Sequence, residues 1–152
     1  MHSYITVSIK EDSFPKNLRS KALIFSTVDG KSKYAEGGKW NGNTMSVKTR
    51  SFGGYGIAVD TIAPRIIPIN ISNGSYMGNK WSISLKVTDE FSGLDEYKGT
   101  IDGKWVLFEY DAKRNLLSYY FDENIKKGSH LLEFTATDAV GNIKIFKANF
   151  RR

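Results

Sequence analysis

Apolar and polar side chains alternate along this chain in short runs, each broken by Asp, Asn or Gly. In Trp81-Ser-Ile-Ser-Leu-Lys-Val87 and His130-Leu-Leu-Glu-Phe-Thr-Ala136 the period is two, which sets one face of a strand on a core and the other toward solvent. Seven such runs follow residue 63, near 64–71, 79–88, 95–102, 104–110, 115–121, 129–138 and 142–150. Seven short strands with frequent turns outline an immunoglobulin-like sandwich. Asp102-Gly103 is a hairpin turn between two of them. The alternation around Trp81 and Trp105 points both indoles to the core with Ile83, Leu85 and Leu107.

Upstream, shorter runs near 3–10, 21–28, 31–40, 43–50 and 53–59 predict a thinner module, leaving room for further strands ahead of Met1. Val28-Asp-Gly-Lys31 and Trp40-Asn-Gly-Asn43 read as tight hairpins, because Asp-Gly and Asn-Gly take positive φ readily. Lys31 to Lys39 is rich in Lys and Gly, as an edge strand is. A turn or two of helix is expected after Pro15, through Asn17-Leu-Arg-Ser20. The glycines of Ser51-Phe-Gly-Gly-Tyr-Gly56 read as a close backbone approach within a strand. Pro64 holds Ala63 extended and stops the preceding strand, so Asp60-Thr-Ile-Ala-Pro64 is the expected joint. The predicted fold class is all-β, with two small β-sandwich modules. Residues 1–60 form the first and residues 61–152 a seven-stranded immunoglobulin-like sandwich.

Composition removes several functions. Without cysteine there is no disulfide, thiol nucleophile or cysteine zinc site. The net charge of +6, from 22 basic and 16 acidic residues, is scattered; it forms neither the stripe nor the motif of a nucleic-acid binder. No apolar run reaches the ~18 residues of a membrane span, and Met1-His-Ser-Tyr does not begin a secretory signal. A strand-like run starting at Ile5 fits a piece excised from a longer protein.

Catalytic inventory is thin. Only His2 and His130 are present, no Gly-x-Ser-x-Gly elbow accompanies them, and the glycines after Ser51 are not followed by Lys-Ser/Thr. A pair of glycosidase carboxylates is recognised by separation in space, which sequence does not give.

Two binding possibilities stand. If the strands run up and down, Asp60, Asp89 and Asp138 gather at one pole with Glu90 and Asp111 nearby. Such a cluster suits Ca²⁺, which takes six to eight oxygens. Asp side chains capping their own turns explain the same pattern without a metal. Trp40, in the turn-proximal Gly-Gly-Lys-Trp-Asn-Gly segment, is the best exposed aromatic and forms a candidate ligand surface with Lys39 and Tyr55.

Several pieces occur in an ordered combination over nearly the whole chain: Lys21-Ala-Leu-Ile24, Gly37-Gly-Lys-Trp40, Thr49-Arg-Ser-Phe-Gly53, Asp60-Thr-Ile-Ala-Pro64, Ile101-Asp-Gly-Lys-Trp105 and Asp138-Ala-Val-Gly-Asn142. Together they resemble the C-terminal region of Bacteroidetes LytM/lysostaphin-type zinc metallopeptidases. In that family an upstream domain binds zinc through His and Asp and cleaves peptidoglycan peptides. This sequence has no His-x-His pair, so no catalytic residue carries over and zinc belongs only to the absent domain. The resemblance implies a non-catalytic, extracytoplasmic accessory region without a cofactor of its own. Its partners would be the upstream catalytic domain and peptidoglycan or an envelope protein. A carbohydrate or cell-wall-binding module is the alternative.

Overall fold

A computed structural model describes residues 3–152, so His2 lies outside the described residues. The chain divides into two compact units. Unit 1 takes the chain up to Ile62 together with Glu90–Gly93 and Ala139–Gly141, and unit 2 takes the remainder.

Unit 1 contains β1 (Ile5–Lys10), a 3₁₀ helix (Lys16–Lys21), β2 (Ala22–Thr27), β3 (Tyr34–Gly37), β4 (Lys39–Asn41), β5 (Thr44–Thr49) and β6 (Gly54–Val59). They form two three-stranded sheets, ordered β1-β5-β4 and β3-β2-β6. Ala22, Ile24 and Met45 are the buried centre, with Ile9, Val47 and Ile57 packed against them. The run predicted as one strand over 31–40 is two. Gly37 and Gly38 take φ of 85° and 131°, so the chain breaks there and each half edges a different sheet. The expected tight turn at Asp29-Gly30 is a longer loop, because Asp29 gathers the amides of Lys31 (2.8 Å) and Ser32 (2.7 Å). Those amide bonds, with the Ser32 hydroxyl, lower the Asp29 pKa to about 2.

Glu36 of β3 ties the two sheets together. Its carboxylate accepts from Ser26 of β2 at 2.7 Å and from Thr49 of β5 at 2.6 Å. Burial pushes its pKa up, but the bonds from the Ser26, Ser51 and Thr49 hydroxyls outweigh this and the net shift is downward. The two late segments of unit 1 are fixed inside it: Ala139 N donates to Gly93 O (3.0 Å) and Lys21 Nζ to Val140 O (3.0 Å).

Unit 2 contains β7 (Arg65–Pro68), β8 (Ser75–Tyr76), β9 (Ser82–Thr88), β10 (Leu94–Ile101), β11 (Lys104–Val106), β12 (Glu109–Asp111), β13 (Leu116–Tyr120), β14 (Ser129–Asp138) and β15 (Ile143–Arg151). One sheet has the order β11-β10-β14-β15-β8 and the other β12-β13-β9-β7. This is the predicted all-β sandwich architecture, with alternation supplying the core. Ile83, Leu85 and Val87 come from β9, Leu117 and Tyr119 from β13, and Leu132, Phe134 and Ala136 from β14. Burying each large apolar side chain contributes about 1.5–3 kcal/mol. Phe108 meets Phe134 edge-on at 4.9 Å and stands between the two layers.

Two expectations fail here. The run over 104–110 is two strands, β11 and β12, which join different sheets; between them Leu107 and Phe108 carry the chain from one layer to the other. Trp81 and Trp105, expected in the core, are 88% and 63% exposed, and Leu107 is exposed with them. Trp81 has the right phase but precedes the first residue of β9, beyond the covered part of the sheet. For Trp105 the phase itself is wrong. Asp102 and Gly103 take φ of 52° and 76° and close a two-residue hairpin, which pairs Ile101 with Lys104 and Thr100 with Trp105. Directly opposed residues share a face, so the inward positions are Gly99 with Val106, and then Phe108, while Trp105 and Leu107 point out.

Candidate functional site

That phase builds a groove. A cavity of about 720 Å³ runs through unit 2 beside β11 and the loop joining β13 to β14. Trp105, Leu107 and Tyr120 stand exposed in its wall, at 63%, 58% and 58%. Polar groups are interleaved with them: Asp102, Glu109, Asp122 and Glu123 on the acidic side, Lys104 and Lys126 on the basic side.

The loop wall is held by its neighbours. Asp122 accepts from the amide of Asn124 (3.0 Å) and from the Tyr119 hydroxyl (3.3 Å). Burial raises the pKa of Tyr119, helped by the Asp122 charge. For Asp122 burial also acts upward, yet the Asn124 and Tyr119 bonds prevail and its pKa is lowered. Arg152 lies 4.3 Å over the Phe121 ring and donates to the carbonyls of Asp122 (3.4 Å) and Ile125 (3.3 Å). Gly128 and Arg152 exchange both backbone bonds at 2.9 Å.

His130 is the last tie. Alternation along β14 puts it on the inward face, with its side chain 12% exposed and its ring 5.3 Å from that of Phe150. Nε2 sits 2.8 Å from the Lys126 carbonyl and Nδ1 2.7 Å from the Asp102 carboxylate. A carbonyl only accepts, and an ionised carboxylate only accepts, so the protonated ring, with an N–H at each nitrogen, satisfies both partners. The His130 bond, the largest influence on Asp102, lowers its pKa. Burial acts downward on His130, but the Asp102 and Lys126 bonds exceed it and its pKa is raised.

The residues singled out from sequence are placed differently. Trp40 is half-buried: its Nε1 donates to Arg19 O (3.1 Å), and its ring meets Phe14 at 5.0 Å and the Arg19 guanidinium at 4.7 Å. It lines a cavity of about 460 Å³ in unit 1 that neither Lys39 nor Tyr55 lines. Lys39 is exposed, and the Tyr55 hydroxyl donates to Ser51 O. Asp60 in unit 1 is buried and accepts from the amides of Ile62 (3.0 Å) and Ser92 (3.1 Å). Asp138 in unit 2 is buried and accepts from Asn142 N (2.8 Å) and Nδ2 (2.7 Å). Within unit 2, Asp89 and Asp138 each offer a carboxylate oxygen within 4.8 Å of the other's. Glu90 and Asp111 are exposed, and Asp111 caps the amide of Lys113 (3.1 Å). Asp60, Asp111 and Asp138 each accept from an amide of their own turn, and Asp60 also from the amide of Ser92. The Trp105 groove was missed, although counting outward from Asp102-Gly103 puts Trp105 opposite Thr100 and hence on the outer face.

Residues 1–60 match the family model of the Zu5-like domain. No curated protein matches the chain. Among solved structures the chain is similar to the fibronectin(III)-like modules of Clostridium thermocellum CbhA, at 13% identity with a TM-score of 0.44, over 96% of this chain and 84% of that one. Among the described residues no helix is long and apolar enough to cross a membrane.

Proposed function

We propose that this chain is a non-catalytic accessory region of a cell-envelope, peptidoglycan-type metallopeptidase, outside the cytoplasm, which positions the linked enzyme or docks a partner. The observation that carries the reading is the state of His130, the one histidine among the described residues. Both its nitrogens are engaged within unit 2, by Asp102 and by the Lys126 carbonyl, so neither is presented to a substrate as a base. The sequence resemblance to the C-terminal region of LytM/lysostaphin-type enzymes supplies the parent. Holding a linked enzyme at a polymer raises its effective concentration and strengthens engagement by ~100-fold or more without new chemistry.

Deleting this region from the parent enzyme tests the proposal. Hydrolysis of insoluble sacculi should fall by a factor of tens or more, while kcat/KM on a short soluble peptide stays within about twofold. An equal loss on both substrates would make the region part of the catalytic apparatus. No loss on either would remove the positioning role. The wall-binding alternative through Trp40, Lys39 and Tyr55 has less support, because the Trp40 ring already packs on Phe14 and Arg19.

A further inference from the structure

The geometry points to the unit 2 groove as a glycan-binding site, selective for pyranose chains that are neutral or carry amines. The site belongs to the chain itself, so it stands or falls independently of any linked hydrolase. Three features lead to it.

Its exposed apolar groups are chiefly aromatic. Trp105 and Tyr120 offer flat faces to solvent, and the C–H face of a pyranose ring is their chemical complement. A docking site for an apolar peptide would instead present a contiguous aliphatic patch. Here Leu107 is the exposed aliphatic partner, and carboxylates line the same wall as the rings.

Hydroxyl acceptors are also in place. Glu109 and Glu123 are exposed in the wall, and Asp122 is oriented by Asn124 and Tyr119. Carboxylates accepting from sugar hydroxyls make charge-assisted bonds, roughly twice as strong as neutral ones. The loop that carries Asp122 and Glu123 is preformed by Arg152 and His130, which cap its carbonyls at Asp122, Ile125 and Lys126. Binding therefore does not have to order it.

Charge then selects among glycans. The chain is formally +6, yet this wall holds four carboxylates against two lysines. Asp102 is matched by His130, which leaves Glu109, Asp122 and Glu123 in the wall with Lys104 and Lys126, while the Arg152 guanidinium is spent on the loop carbonyls of Asp122 and Ile125 and the Phe121 ring. Uronic acids and phosphorylated sugars meet repulsion here, and a protonated amino sugar meets attraction.

The test is calorimetric titration of the intact chain with three six-sugar probes: a β-1,4-linked glucosamine oligomer, its N-acetylated form, and an oligogalacturonate. Affinity should follow that order, with no detectable binding of the last. Trp105→Ala and Tyr120→Ala should each weaken the first by about tenfold or more. Trp105→Phe should keep most of the affinity, which separates a stacking face from a structural one. Trp81→Ala, which removes an indole outside the groove, should change nothing. The proposal is overturned if neither amino-sugar probe binds at millimolar concentration. It is equally overturned if oligogalacturonate binds best, or if binding survives loss of Trp105 and Tyr120 together.

Discussion

Single side chains set the spacing of unit 2. Gly99 on β10 faces inward beneath Phe108, and a Cβ built there would lie 2.3 Å from the ring. Gly99→Ala should therefore destabilise the chain by about 1–3 kcal/mol in urea unfolding. Adding Phe108→Leu should recover part of that loss, so the pair is non-additive in a double-mutant cycle. If Gly99→Ala is neutral, the ring has room that the structure does not show.

His130 makes stability depend on pH at the same scale. Its raised pKa means that its contribution is full below the unfolded value near ~6.5 and is lost as pH rises through the folded value. Asp102, with a lowered pKa, contributes above about 3.9 and loses its effect as pH falls through the folded value. Arg152 is the cation near His130, and it opposes protonation more weakly than Asp102 and the Lys126 carbonyl favour it. Thermal melts should show a plateau between those limits with a decline on the alkaline side, and His130→Gln should flatten the alkaline limb. A wild-type alkaline slope that persists in His130→Gln would show that another group titrates.

Among the elements, Glu36 couples the two sheets of unit 1, and the coupling lies in side-chain bonds to Ser26 and Thr49. Glu36→Ala leaves both hydroxyls short of an acceptor in a partly buried place. Unfolding of unit 1 should become easier by about 1–3 kcal/mol. Unchanged melting would mean that water replaces the carboxylate without loss.

At this level the sequence was readable where its period was clean. β9 and β14 fell where alternation placed them, because one covered face and one wet face impose period two on the residues themselves. The split of 104–110 was not visible, since nothing local in Trp105-Val-Leu-Phe108 marks a change of sheet; the layer to which each half bonds is set by distant strands. Gly37-Gly38 does carry a signal, two adjacent glycines able to take positive φ, but the Lys- and Gly-rich composition around it is equally that of one edge strand. Trp105 shows why phase must be anchored. Its hydrophobicity favours the core, yet the hairpin register places it outside, and a one-residue slip exchanges the two faces. The groove was hidden by that slip alone, while its acidic residues were in plain view.

At the scale of the molecule, the groups that could meet a ligand or an ion are exposed rings and carboxylates. Asp60 and Asp138 already accept hydrogen bonds from nearby amides, Asp60 from Ile62 and Ser92 and Asp138 from Asn142, and this fixes their carboxylates without a metal. The melting temperature should therefore be the same in EDTA and in millimolar Ca²⁺, and a rise of several degrees with Ca²⁺ would reveal a site. The central claim is that the chain acts by binding and positioning and breaks no bond. It is met most directly by the release of soluble fragments from purified sacculi incubated with the chain alone. The account predicts release indistinguishable from buffer at every concentration. Release that grows in proportion to the chain would contradict it.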